Sequence, residues 1–135
     1  MENQERLGRV PAFVDFDYIT PSMEALILDY LDTHAQVTFI DLEDDVPGFQ
    51  GDLTLRSSSN RNTILWRGAS GSAVHALREL EKQGRIDFKE TSVHVYQNKG
   101  RTIQLPVAKG RSNGALHWSP VVVELKNGHD EVMSS

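Results

Sequence analysis

The sequence predicts a single α+β domain, and three observations support this class. A chain of 135 residues has room for one hydrophobic core. Two segments carry the apolar spacing of amphipathic helices, and several short segments alternate or are rich in β-branched residues. Hydrophobic residues make up 39% of the chain and charged residues 24%, which is ordinary for a folded soluble protein.

The first helix is predicted within TPSMEALILDYLDTH. Thr20 is suited to the N-cap, and Pro21 is suited to the first helical position, where its missing N–H costs nothing. One apolar stripe follows the i, i+3, i+4, i+7 spacing: Met23, Leu26, Ile27, Tyr30, Leu31 and His34. We therefore expect this helix to be core scaffold. Residues 1–19 show no clear period and are expected to form an N-terminal arm.

The second helix is predicted within GSAVHALRELEKQGR, over residues 72–83. Ser70 or Ser72 can cap it, and Gly84 can end it. Its apolar stripe consists of Ala73, Val74, Ala76, Leu77 and Leu80. The outward face carries Ser72, His75, Arg78 and Lys82, so this helix presents a polar and largely basic surface.

Short strands are predicted around and beyond the second helix. VTFIDL (37–42) has β-branched and aromatic residues, and DLTLR and NTILWRG form two short strands or a flexible loop between elements. After the helix, RIDFKE, SVHVYQ and RTIQLPVA alternate, and QNKG has the composition of a hairpin turn. This predicts a hairpin with a basic tip at residues 98–101. GRSNG (110–114) is expected to be a flexible joint, LHWSPVVVELKNG one further strand, and HDEVMSS a disordered end.

Charge is distributed unevenly along the chain. Residues 1–53 contain twelve acids and two bases, a net charge of −10, whereas residues 54–112 contain eleven bases and four acids, a net charge of +7. The whole chain has a net charge of −5. A chain of this kind can carry a positive face despite its acidity, or its two halves can pair with each other across the fold.

The order of these elements resembles the winged helix-turn-helix superfamily over residues 23–107. ALILDYLDTHAQVTFIDL is similar to its first helix and first strand, and SAVHALRELEKQGRIDF is similar to its recognition helix running into the wing. In that superfamily the recognition helix lies in the major groove and the wing touches the backbone or the minor groove. The resemblance implies a nucleic-acid-binding set, namely Ser72, His75, Arg78, Lys82, Lys99 and Arg101, with Arg67 behind them.

One feature departs from the superfamily pattern. The two helices of the motif are normally joined by a short turn, but about twenty residues separate PGF from GASGS here. Either an insertion such as a β-hairpin interrupts the motif, or the fold is a different small α+β arrangement. On the first alternative, the chain divides into the arm, a winged-helix-like domain at 20–109, and a C-terminal extension at 110–135.

The function predicted from these patterns is non-enzymatic DNA binding or regulation, with double-stranded DNA as the partner. The alternative is a protein-interaction module that uses its acidic first helix, or that forms a homodimer through the apolar strand 121–125. A third hypothesis is a metal-dependent nuclease, because Glu124 and Lys126 resemble the (D/E)xK half of such a site. The upstream Pro-Asp that this family uses is missing from the sequence.

No cofactor and no metal site is predicted. DLEDD lacks the spacing of a calcium loop, and the five histidines follow no HxH or HExxH pattern. The chain has no cysteine, which excludes disulfides and thiolate ligands. Its N-terminus is polar and its longest apolar runs are short, so we expect a cytoplasmic protein without a membrane span.

Overall fold

The computed structural model describes residues 21–107 and 115–126, and within these ranges the chain forms a mixed α+β fold. The α+β class predicted from the sequence is therefore confirmed. The predicted arm 1–19, the Thr20 cap, the joint at 110–114 and the chain end beyond Lys126 lie outside the described residues. The elements are α1 (Met23–Thr33), α2 (Phe39–Asp45), β1 (Gln50–Arg56), β2 (Thr63–Ala69), α3 (Gly71–Lys82), β3 (Ile86–Glu90), α4 (Val93–Asn98), β4 (His117–Trp118) and β5 (Val121–Leu125).

Helix α1 begins later than the sequence indicated. Its N-cap is Ser22, whose Oγ accepts a hydrogen bond from the backbone N–H of Ala25 at 3.1 Å. Ile27 and Leu31 lie one turn apart and are buried, so the predicted apolar stripe faces the core as far as Leu31. His34, the last residue of the predicted stripe, is the C-cap and is exposed, so its assignment to the core face is wrong. None of the described helices is both long and apolar enough to cross a membrane.

Helix α2 replaces the strand predicted at 37–42, and that prediction is wrong. Thr38 and Asp41 form a capping box, in which Thr38 Oγ1 accepts from the Asp41 N–H at 3.1 Å and Asp41 Oδ2 accepts from the Thr38 N–H at 2.9 Å. The box satisfies two backbone donors at once, and this outweighs the β propensity of the segment. Only Val37 keeps a strand contact, an isolated antiparallel bridge to Val123.

Two small sheets hold the fold together. In the first, β1 pairs antiparallel with β2, and β2 pairs parallel with β4. In the second, β3 pairs antiparallel with β5 along the length of both strands. Residues 50–69, which separate α2 from α3, are thus an ordered β-hairpin. The single strand predicted in LHWSPVVVELKNG is divided in two by Ser119 and Pro120.

Helix α3 and strand β3 form as predicted. Ser70 is the N-cap and accepts from the Ala73 N–H at 3.1 Å, while Gly84 follows the helix with a φ of +74°. The predicted stripe is buried at four of its five positions: Ala73, Ala76, Leu77 and Leu80. Val74 is only half-buried, so this side chain is shared between the core and the surface.

Helix α4 overturns the prediction of a wing hairpin after β3. Residues 93–98 are helical, with Ser92 as the N-cap, and the segment 101–107 makes one isolated bridge instead of a strand. The reason is a single buried side chain, Tyr96. Its hydroxyl donates to the carbonyl of Val121 at 2.6 Å and accepts from the N–H of Phe39 at 3.2 Å. The helix thereby joins β5 to the start of α2, and β3 pairs with β5 in place of a hairpin partner.

An aromatic column forms the centre of the core. Phe39, Trp66, Tyr96 and Trp118 follow one another with ring-centroid separations of 5.8, 5.4 and 5.3 Å. These four side chains come from α2, β2, α4 and β4. Burial also raises the pKa of the Tyr96 phenol, which favours the protonated form that donates to Val121.

Replacing Tyr96 tests this arrangement. We expect Tyr96→Phe to lower the free energy of unfolding in urea by about 1–3 kcal/mol, because Val121 and Phe39 lose their buried hydrogen-bond partner. Tyr30→Phe is the matched control, since the Tyr30 hydroxyl bonds Asp45 Oδ2 at the surface. That variant should change stability by less than about 0.5 kcal/mol. Equal losses in the two variants would contradict the anchoring role of Tyr96.

Candidate functional site: the groove between α3 and β1

The outward residues of the predicted DNA-reading helix do not form a uniform set. Ser72, His75 and Lys82 are exposed on α3. Arg78 is half-buried, and its Nη2 donates to the backbone carbonyl of Arg56 at 2.9 Å. The guanidinium therefore fastens α3 to the end of β1, and only part of it is available to a ligand.

Lys99 and Arg101 are not at the tip of a hairpin, as the sequence had suggested. Both follow α4 and contact carboxylates of α2. Lys99 Nζ lies 3.0 Å from Asp41 Oδ1, and Arg101 forms an ion pair with Glu43. The two cations expected to contact a DNA backbone are thus each paired with a carboxylate of the same domain.

The Glu43 carboxylate is the most deeply placed charge in these contacts. Its side chain is 1% exposed, and Oε2 accepts a hydrogen bond from Trp66 Nε1 at 2.6 Å. The Arg101 guanidinium also lies 5.3 Å from the centroid of the Trp66 ring, within cation–π range. A Cβ at position 68 would come within 3.0 Å of Glu43 Oε2, and Gly68 has a φ of +108°. Glycine is required there for both reasons.

Asp41, also on α2, is the second carboxylate in these contacts, and its hydrogen bonds favour the ionised form. Partial burial opposes its ionisation, but hydrogen bonds from the backbone and side chain of Thr38 and from Lys99 outweigh burial and lower its pKa. Asp41 thus serves as the carboxylate of the capping box and as the partner of Lys99. Both roles are structural, and neither leaves the carboxylate for a ligand.

A groove of about 720 Å³ runs between α3 and the β1–β2 hairpin. Its lining mixes apolar groups with charges of both signs: Leu53, Ser58, Gly71, Val74, His75, Arg78, Glu79, Glu81 and Lys82. Three residues of the predicted nucleic-acid-binding set line this groove, namely His75, Arg78 and Lys82. Ser72, Arg67, Lys99 and Arg101 do not line the groove.

Leu53 is the groove residue that the sequence did not indicate. Alternation along DLTLR places Leu53 and Leu55 on the same face of a regular strand, yet Leu55 is buried and Leu53 is 47% exposed. The register of β1 against β2 shifts on both sides of Leu53, which is a bulge that turns the side chain outward. No local pattern predicts such a shift.

The groove has a rigid end next to the start of α3. A Cβ at Gly51 would lie 2.5 Å from Ser70 Cα, so only glycine allows β1 to approach the N-terminus of α3 this closely. Ser70 Oγ also donates to the carbonyl of Gly48 at 2.7 Å. The floor and the helical wall of the groove are therefore fixed relative to each other.

A second, acidic surface lies on α1 and α2. A smaller groove of about 390 Å³ is lined there by residues that include Leu26, Asp29, Tyr30 and Asp45. Partial burial, a hydrogen bond to Asp45 and the carboxylates of neighbouring acids raise the pKa of the Tyr30 phenol. Side chains of this acidic surface already contact one another. The Tyr30 hydroxyl donates to Asp45 Oδ2 at 2.6 Å, and the Tyr30 ring stacks on His34 with ring centroids 3.9 Å apart.

The valine side chains of the strand expected to support a homodimer are not at the surface. Val121, Val122 and Val123 are buried, and β5 pairs with β3 on one side and bridges Val37 on the other. Its apolar residues are used by the domain core. Self-association through these side chains, as considered from the sequence, is therefore not supported by their position.

Glu124, the carboxylate of the nuclease hypothesis, lies on β5 in the β3–β5 sheet. Glu124 is opposite Asp87 in the β3–β5 register and lies 3.7 Å from Lys89 Nζ. Within residues 21–107 and 115–126, no three carboxylate or imidazole groups are placed to hold a metal ion together.

Comparison of the chain with protein-family models, with curated proteins and with solved structures finds no match. The assignment of function therefore depends on the geometry of the groove.

The Glu43–Arg101 pair provides a test of the internal pairing of charges. Arg101→Met should lower the free energy of unfolding by roughly 2–3 kcal/mol, because it leaves a buried carboxylate with only Trp66 as its partner. In Glu43→Gln/Arg101→Met we expect at least half of this loss to be recovered, since a neutral amide oxygen can still accept from Trp66.

Lys99→Met is the matched control, because the side chain of its partner Asp41 is 25% exposed. It should cost less than about 1 kcal/mol. Chemical denaturation of the four proteins gives all the values. Equal losses for the two single variants, with no recovery in the double variant, would show that Glu43 is not a buried charge that depends on Arg101.

Proposed function

We propose that the chain is a non-catalytic winged-helix-like module whose α3–β1 groove binds a segment of another protein. Several features support the winged-helix frame. The order α1, Val37, α2, α3, β3 follows the superfamily pattern, with the β1–β2 hairpin as the insertion before α3. Strands β3 and β5 are antiparallel partners, as the two strands of a wing would be, and Val37 bridges to Val123 where the short strand after the first helix would stand.

The composition of the groove is the observation that carries the proposal. Leu53 is a large apolar side chain left 47% exposed, and it faces Val74 and the start of α3 across the groove. An exposed apolar residue in a concave site of this volume gives a partner side chain area to bury. The surrounding charges are of both signs, which suits the polar rim of a protein interface.

The same composition argues against a phosphate backbone as the ligand. Glu79 and Glu81 line the groove beside Arg78 and Lys82, and carboxylates repel phosphates. Lys99 and Arg101, which would have extended a positive face, are paired with Asp41 and Glu43.

Double-stranded DNA is the second candidate, and one observation favours it. Lys82 on α3 and Arg67 on β2 are exposed, and their side chains have no hydrogen bond or ion pair within the described residues. They can therefore contact phosphates without first breaking an internal pair. His75 and Ser72 are also exposed along α3, where a reading helix would present them to base edges.

Selection of peptides against the full chain tests the proposed function. A displayed library of random peptides should yield binders, and Leu53→Asp should weaken the selected peptides by at least about tenfold, because a charge replaces the apolar contact. Leu116→Asp is the matched control, since Leu116 is also exposed, at 41%, and lines neither groove. Binding is read from fluorescence polarisation of labelled peptides. Failure to select any peptide, or equal weakening by the two variants, would contradict the proposal.

A further inference from the structure

A polar pocket adjoins the groove. It has a volume of about 340 Å³ and lies between the 57–60 loop, the end of α3 and the strands β3 and β4. Ser58 and Glu81 line both the pocket and the groove, and Ser58 Oγ donates to Glu81 Oε2 at 3.4 Å. The two cavities are therefore neighbours that share these two side chains.

Two acidic side chains line the pocket. Glu81 and Glu90 contribute the carboxylates, and none of the described lining residues is a lysine or an arginine. His117 lines the pocket as well. Its Nδ1 lies 2.8 Å from the carbonyl of Ala115 and its Nε2 lies 2.8 Å from Thr63 Oγ1. A carbonyl can only accept, so Nδ1 donates to it, and both ring nitrogens already have partners within the domain.

A serine side chain with no hydrogen-bond partner gives a second indication of a ligand. Ser119 is 8% exposed as a residue and lines the pocket, and its side chain has no hydrogen-bond partner among the described residues. Its hydroxyl can therefore donate to, or accept from, a group that enters the pocket. Phe88, Leu65 and Val121 supply an apolar wall beside it.

We propose that this pocket receives a lysine or arginine side chain of the protein segment that binds the groove. The aliphatic stem would pack on the wall formed by Phe88, and the charged head would donate to Glu81, Glu90 and Ser119. The inference rests on the proposed function, and it specifies the partner as a segment with an apolar residue for Leu53 and a nearby basic residue for the pocket.

Titration of the ¹⁵N-labelled chain with N-acetyl-lysine methylamide and N-acetyl-arginine methylamide tests the pocket by itself. The expected result is a saturable set of amide shifts confined to residues 57–60, Glu81, Glu90 and 117–119. N-acetyl-norleucine methylamide, which keeps the stem but lacks the charge, should cause no such shifts. Glu81→Gln and Glu90→Gln should each raise the dissociation constant about threefold, and Ser119→Ala should raise it by a similar factor.

Glu24→Gln on α1 is the control, since Glu24 lines neither the pocket nor the groove, and it should leave the dissociation constant unchanged. Absence of the shifts, or shifts that persist unchanged in both Glu81→Gln and Glu90→Gln, would overturn the proposal. These outcomes leave Leu53-dependent peptide binding untouched, so the groove can stand without the pocket.

Peptides selected on the groove provide the second readout. We expect them to be enriched in one basic residue at a fixed distance from an apolar residue, and to lose affinity in Glu81→Gln and Glu90→Gln. Leu53-dependent peptides without a basic residue would overturn the inference and leave the proposed function standing. If the capped lysine binds as expected but no peptide is selected, the cation pocket stands and the proposed function fails.

Discussion

The buried carboxylate of Glu43 is the constraint on which the arrangement of this domain depends most. A carboxylate that is 1% exposed is tolerated only when charged or polar donors surround it, and here Trp66 and Arg101 supply them. To make those contacts, α2, β2 and the segment after α4 must meet at one place. Gly68 accommodates the meeting because any side chain there would crowd the carboxylate. The aromatic column from Phe39 to Trp118 then packs around the same point.

This internal pairing changes what the surface can do. The acidic first third of the chain and the basic middle part are partly matched within the fold, through Asp41 with Lys99 and Glu43 with Arg101. The positive face that the charge asymmetry permitted is therefore reduced. What remains beside α3 is a groove with an exposed leucine and charges of both signs, next to a pocket lined by two carboxylates. Both features suit a protein segment better than a uniform polyanion.

Much of the fold follows from local sequence. The stripe on α1 as far as Leu31, the caps and glycine around α3, and the strand character of β3 are properties of neighbouring residues, and the structure agrees with them. Helices α2 and α4 were missed because their β-branched residues favour strands. The Thr38–Asp41 capping box stabilises α2 as a helix. Helix α4 is stabilised by the hydroxyl of Tyr96, which forms hydrogen bonds with residues far away in the chain.

The candidate site was predictable only in part. The outward face of α3 was identified from its period, but the groove needs the hairpin insertion and the bulge at Leu53. The pairing of Lys99 and Arg101 with residues 58 positions earlier leaves no local signal in the sequence. Likewise, the pocket combines the 57–60 loop with β3 and β4, which are remote from one another along the chain.

The central claim is that the cations of this domain mainly serve its own fold, and that α3 faces a protein. Fluorescence anisotropy of a labelled random-sequence DNA duplex, titrated with the chain at low and at moderate salt, tests this claim most directly. The account predicts no salt-sensitive binding at micromolar protein, and no difference between the natural chain and Arg67→Ala/Lys82→Ala. Tight binding that weakens steeply with salt and is lost in that double variant would contradict it, and would place α3 on a phosphate backbone.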